Sequence, residues 1–186
     1  MSFKDSAINF FHRSATGSTK LRIVLRLVGV TVYVLFTGLF VFMSLLTDRF
    51  LNLPELIPES LSIVLAIPFM LAGAVIYIWA VSSFLRLKRI SVLLNPPTKV
   101  LSDGPYSYCR HPMIGAIILV LLGLGILLRS VSLVFAFTPL FALINAWELK
   151  EIEEPELAQR LGSEYIEYKS STPMFIPRFR SGAKKK

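Results

Sequence analysis

The sequence predicts an all-α fold, a polytopic membrane helical bundle with a polar C-terminal segment on the cytoplasmic side. Three observations predict it. Hydrophobic residues make up 54% of the 186-residue chain and charged residues only 17%, where a soluble domain carries about 25%; mean hydropathy is high at +0.62. Charge is absent from four long stretches, 27–47, 60–85, 112–128 and 130–147. Of the 20 Lys and Arg residues, 18 lie before the first stretch, between the second and third, or after the fourth, leaving Arg49 and Arg129 for the other two connections. The positive-inside rule reads that split directly: both termini and the 86–111 connection are cytoplasmic. Such a chain fits neither a soluble globule nor a disordered polymer.

Residues 1–26 read as a cytoplasmic interfacial segment, with Phe3, Ala7, Phe10 and Phe11 at helical spacing between charges. The first twenty residues are polar and the block after them has no small-residue cleavage site, so the first membrane helix is expected to stay as a signal-anchor. Residues 27–99 hold the first two transmembrane helices and an inner loop. As a helix, 27–47 rises about 31 Å, enough for a hydrocarbon core of about 30 Å. Pro54 and Pro58 mark a short outer loop, and Pro68 predicts a kink in the returning helix 60–85.

The third and fourth stretches are separated by Arg129. A single helix through both would bury that charge at mid-bilayer, which is costly. The segment 112–147 is therefore a tight helical hairpin with Arg129 at the outer surface, and Gly115, Gly123 and Gly125 let its two arms approach closely. No fifth spanning helix is visible. A helix continues out of the membrane, breaks near Pro155, restarts, and is released at Ser170–Pro173. Residues 181–186 form a basic tail attracted to anionic lipid.

The net charge of +8 is thus mostly topological, with membrane lipids as its partners. No aromatic-basic interleaving or motif accompanies it, which argues against nucleic acid. A single cysteine, Cys109, excludes an intrachain disulfide and a Cys-based zinc site, and His12 and His111 are too far apart in sequence to suggest a metal centre.

Two segments carry candidate chemistry. In 103–115, Gly104-Pro105 makes a turn, and Arg110-His111 stand at the mouth of a membrane helix that opens with Pro112. A helix N-terminus with two such side chains suits a carboxylate or phosphate, although Arg110 would serve equally as a topological anchor. In 148–177, Glu153-Glu154 are close enough to the hairpin to fold back on Arg110-His111, and paired carboxylates can balance a bound cation or accept two ribose hydroxyls. Tyr165 and Tyr168 share a helix face, a spacing that packing explains more readily than ligand binding.

Gly104-Pro105-Tyr106, Arg110-His111-Pro112, then Glu153-Glu154, Leu157, Gly162, Tyr165, Tyr168, Pro173 and Ile176-Pro177 form one ordered series. It resembles the isoprenylcysteine carboxyl methyltransferase family and its relatives among the phospholipid methyltransferases. The resemblance covers 100–177 and extends to the first two membrane stretches in hydropathy alone. It implies an S-adenosylmethionine-dependent integral-membrane methyltransferase whose catalytic segment is 100–180, the cofactor lying in the cytoplasmic C-terminal part; no GxGxxG dinucleotide fingerprint is present. Carried onto matching positions, the resemblance gives a pocket of Gly104, Pro105, Tyr106, Arg110, His111, Pro112, Met113, Glu153, Glu154, Tyr165 and Tyr168, with Arg110, His111 and Glu154 closest to the chemistry.

Two positions depart from the family pattern. Relatives usually carry tyrosine two after the motif proline and glycine two further on, where this chain has Ile114 and Ala116. The eukaryotic enzymes place arginines just before the acidic pair, where Trp147, Glu148, Leu149 and Lys150 stand here. These departures leave the acceptor open, and the shortness of the chain beside eukaryotic members points to a prokaryotic cell-membrane relative. Three functions compete: O-methylation of a prenylcysteine or similar lipidic carboxylate, N-methylation of an amino-phospholipid, and a non-enzymatic membrane scaffold.

Overall fold

The computed structural model describes residues 19–86 and 100–175, all helix, turn or loop with no strand among them. The interfacial segment at 3–14, most of the inner loop, Ile176-Pro177 and the basic tail fall outside the described residues. Five helices follow in order: α1 Thr19–Phe50, α2 Glu59–Arg86, α3 Pro112–Leu127, α4 Leu133–Leu161 and α5 Ser163–Ser171. Three are long and apolar enough to cross a membrane, through Leu27–Phe50, Glu59–Ser83 and Leu133–Leu161. The 16 residues of α3 rise about 24 Å, short of a full crossing.

The hairpin turns where the charge pattern requires. Arg129 adopts a left-handed φ of 58° between α3 and α4, and its Nη1 lies 2.6 Å from Glu55 Oε2 in the α1–α2 loop. The Leu56 N–H donates to the Arg129 carbonyl at 3.0 Å. Asp48, at the end of α1, accepts from the Ser130 hydroxyl and, at 3.0 Å, from the Ser132 N–H. Arg129, Glu55, Asp48 and Ser130 thereby have partners at this end.

The glycines divide their work differently from the expectation. Only Gly125 faces the other hairpin arm, where an added Cβ would stand 2.7 Å from Val134. Gly123 faces α2 instead, 3.1 Å from the Ala66 carbonyl, and Gly73 of α2 returns the contact, with Ala116 O at 2.7 Å. Nothing lies within 4 Å of a Cβ at Gly115. The close seam is therefore mainly between α2 and α3. Gly73→Ala, forced against a backbone carbonyl, should lower stability by about 1–3 kcal/mol, whereas Gly115→Ala should not; thermal melting in detergent measures both.

α1 joins α4 through an aromatic cluster, in which Phe40 lies 5.9 Å from Phe137 and 5.7 Å from Phe141, ring centre to ring centre. One polar tie accompanies it. The Tyr33 hydroxyl donates to Asn145 Oδ1 at 3.2 Å while Asn145 Nδ2 donates to the Phe141 carbonyl at 2.8 Å.

The expected break near Pro155 does not occur. α4 runs through both of its prolines, and a π-turn precedes each: Leu133–Phe137 before Pro139, and Leu149–Glu153 before Pro155. The Thr138 N–H bonds to the Leu133 carbonyl and the Glu154 N–H to the Leu149 carbonyl, both five residues back. A proline ring clashes with the carbonyl four residues before it; the wider turn relieves that clash and lets the helix proceed. The chain breaks at Gly162 instead, with φ 63°, a conformation glycine adopts without the Cβ penalty.

Candidate active site

The segment before α3 is folded against the end of α2. Gly104 has φ 61°, and a Cβ there would lie 2.6 Å from Ser83 Oγ. Buried Pro105 opens a short 3-10 turn, Gly104–Ser107, which delivers Arg110 and His111 to the start of α3. The chain beyond α5 then lies alongside them: the Arg110 N–H donates to the Pro173 carbonyl at 2.9 Å and the His111 N–H to that of Met174 at 3.2 Å. Pro112 has no N–H, so the helical donors left over in this first turn are those of Met113 and Ile114.

Glu154 joins these pieces. It is 1% exposed; Arg110 Nη2 lies 2.9 Å from its Oε1 and Lys169 Nζ 2.8 Å from its Oε2. His111 Nε2 stands 3.5 Å from Oε1, long for a hydrogen bond. Arg110 Nη1 also donates to the Lys169 carbonyl at 3.1 Å. One carboxylate thus links the α3 motif, α4 and α5. Two further ties hold α5 down: the Tyr168 hydroxyl donates to the Tyr106 carbonyl at 2.7 Å, and the Val100 N–H to Glu164 Oε1 at 3.2 Å.

Behind these contacts is a cavity of about 370 Å³. Of the residues expected at a site, Tyr106, Arg110, His111, Pro112, Met113, Glu153 and Tyr165 line it. Glu154 and Tyr168 brace the wall from outside, as do Gly104 and Pro105. Sequence reasoning did not place Val100, Leu101, Ile114, Leu157 or Leu161 in the lining. It also missed Lys169, four residues after Tyr165 and hence on its helix face, a spacing that offered the signal.

Three buried polar atoms of lining residues have no hydrogen-bond partner: Arg110 Nε, His111 Nε2 and the Tyr165 hydroxyl. Burying such groups unpaired is costly. Burial raises the hydroxyls of Tyr106, Tyr165 and Tyr168 above the ordinary phenol range, the negative charge of Glu153 adding at Tyr106 and that of Glu154 at Tyr165. All three remain protonated donors near neutral pH. Burial likewise raises the Cys109 thiol. Among the described residues no group of three or more His, Cys, Asp or Glu could hold a metal ion.

Next to this pocket is a second space of about 1050 Å³ between α1, α2 and α3. No charged residue lines it; Gly29, Tyr33, Gly38 and Tyr77 do, and Met113 and Ile114 belong to both cavities. Val30 and Val34, also in its lining, are more than half exposed on the bundle surface, so the groove opens sideways.

No solved structure matches the chain. Two curated proteins are similar to part of it. The nickel-cobalt-cadmium resistance protein NccN of Alcaligenes xylosoxydans xylosoxydans is 34% identical over 87 residues, 45% of this chain and 40% of that protein. The cobalt-zinc-cadmium resistance protein CzcN of Cupriavidus metallidurans is 35% identical over 79 residues, 42% of this chain and 36% of that one. The match to each thus spans well under half of the relative's length. A family model described as phospholipid methyltransferase matches residues 61–164, from α2 through the Arg110-His111 motif and the hairpin to the start of α5. That stretch is more than half of the chain and holds all of the polar cavity's lining but Tyr165, and the chain is accordingly a member of the phospholipid methyltransferase family.

Proposed function

We propose that this membrane methyltransferase holds S-adenosylmethionine in the polar pocket and O-methylates the carboxylate of a prenylated cysteine or similar lipidic acid whose chain lies in the groove. One observation carries the reading: a half-open pocket lined by buried polar atoms without partners shares Met113 and Ile114 with an uncharged groove that opens on the side of the bundle. The residues present fit the cofactor. Arg110, His111 and Tyr165 offer donors to a carboxylate, Glu153 can accept hydroxyls of a ribose, and Leu157 and Leu161 supply apolar surface for a ring. When bound, that group supplies a methyl already activated on a sulfonium.

The protein's own part is alignment and exclusion of water. Glu154 holds Arg110 and so fixes one edge of the pocket, while α5 covers another through Tyr165. An acceptor carboxylate is ionised at pH 7 and needs no general base. The basic residues favour a pocket on the cytoplasmic side of a cell membrane, with both termini on that side. The family match itself favours a second reading, N-methylation of an amino-phospholipid, which requires a base to take the amine proton, from His111 or a glutamate.

Titration of the purified protein with S-adenosylhomocysteine tests the common part. Micromolar binding is expected, and its absence would leave only the scaffold reading. Tyr165→Phe gives a sharper outcome because two effects oppose each other. Removing an unpaired buried hydroxyl should raise the melting temperature of the ligand-free protein, while the homocysteine should bind more weakly by about 1–3 kcal/mol. Radiolabelled S-adenosylmethionine with a prenylcysteine acid then separates the two acceptors. A carboxyl methyl ester releases volatile methanol under mild alkali; base-stable label in a lipid amine would assign the phospholipid reaction instead.

A further inference from the structure

Among the described residues, Met113 and Ile114 alone line both the polar pocket and the apolar groove. They are consecutive in the first turn of α3, directly after Arg110-His111-Pro112, and both are half-buried. Helical side chains lean back toward the N-terminus of their helix, which directs these two toward the pocket end of α3. An atom passing from pocket to groove must pass them.

The two side chains differ in stiffness. A β-branched isoleucine in a helix keeps essentially one χ1 rotamer. Methionine is unbranched, turns about three bonds and fills irregular gaps. We infer that Met113 is a movable gate and Ile114 its fixed jamb, and that the pair determines which acceptor heads reach the methyl donor. The inference rests on the function proposed above and deepens it. With the gate shut, the Met113 thioether separates the pocket from hydrocarbon. An acceptor whose chain fills the groove pushes that side chain aside and brings its reacting atom to the opening. Because Ile114 does not turn, the opening admits a head with one hydrogen left on the carbon beside its carboxylate, as in a cysteine, and rejects one in which a further methyl replaces that hydrogen.

Met113→Ile replaces the flexible side chain with a stiff one and is the direct test. Wild-type and variant protein in detergent are titrated with S-adenosylhomocysteine, then assayed with radiolabelled S-adenosylmethionine and a prenylcysteine acid. The variant should lose about tenfold or more in kcat, a loss several times larger than any weakening of S-adenosylhomocysteine binding, since small misplacements at reacting atoms have effects of that size. Met113→Leu, free of branching at Cβ, should recover most of the rate. Ile114→Val should improve the relative rate with an acceptor methylated beside its carboxylate. Wild-type turnover by Met113→Ile would overturn the gate. So would losses of equal size in S-adenosylhomocysteine binding and in turnover, because the pair would then act in the donor pocket alone. If wild-type protein bound no homocysteine, the methyltransferase reading would fail first and the gate with it.

Discussion

Glu154→Gln is expected to release α5 from the membrane bundle, with a loss of about 3–5 kcal/mol in the stability of the C-terminal part. The substitution leaves two cations without their shared anion, and their surroundings differ. Lys169, at 43% side-chain exposure, can turn to water; Arg110, at 10%, cannot. The unpaired guanidinium accounts for most of the effect. Hydrogen exchange of residues 154–171 should accelerate and homocysteine binding should fall with it. Glu164→Gln is the control, because the amide carbonyl still accepts from the Val100 N–H and the site is exposed. Equal effects at 154 and 164 would deny Glu154 its central place.

Gly38→Phe should abolish methyl transfer to a lipid acceptor while homocysteine binding and melting temperature stay at wild-type values. Nothing lies within 4 Å of a Cβ at Gly38, which lines the groove, so a side chain built from that position extends into groove space. It takes the place of the acceptor chain, whose burial contributes about 0.8 kcal/mol per CH₂. A chain of about ten carbons would thus supply about 8 kcal/mol, and free cysteine should be inert even with the unaltered protein. Turnover that survives in Gly38→Phe would place the acceptor elsewhere.

Those two residues illustrate what can be read from sequence and what cannot. Glu154 could be suspected because an acidic pair emerging from a membrane hairpin has a basic motif at the hairpin's other end, and hairpins bring their ends together. Arg129 was legible for a similar reason: a lone charge in an apolar run belongs at a turn. Gly38 carried no such signal. Whether a helical glycine faces lipid, a neighbouring helix or empty space depends on how α1 inclines against α2 and α3, and hydropathy contains no such angle. Gly115 and Gly123 were misassigned on the same ground. Pro155 misled because a proline's usual effect on a helix is local and strong, whereas the π-turn that accommodates it leaves no mark in the hydrophobic period. Lys169 was overlooked because a basic residue in a polar helix normally faces water, and only the approach of α5 to α4 gives it an anion.

The π-turn at Leu149–Glu153 also makes the length of α4 part of its information content. Each residue of an α-helix turns the next by about 100°. Loss of one residue between 149 and 153 would restore ordinary helical bonding and leave the apolar span toward the hairpin untouched. Because one turn is closed in either form, the faces beyond would keep nearly the same direction, and Glu154 would still be turned toward Arg110. A single-codon deletion in the regular helix Thr138–Glu148 has no such refuge: it would turn Glu154 by about 100° and disconnect the pocket from its anchor without changing any residue that lines it.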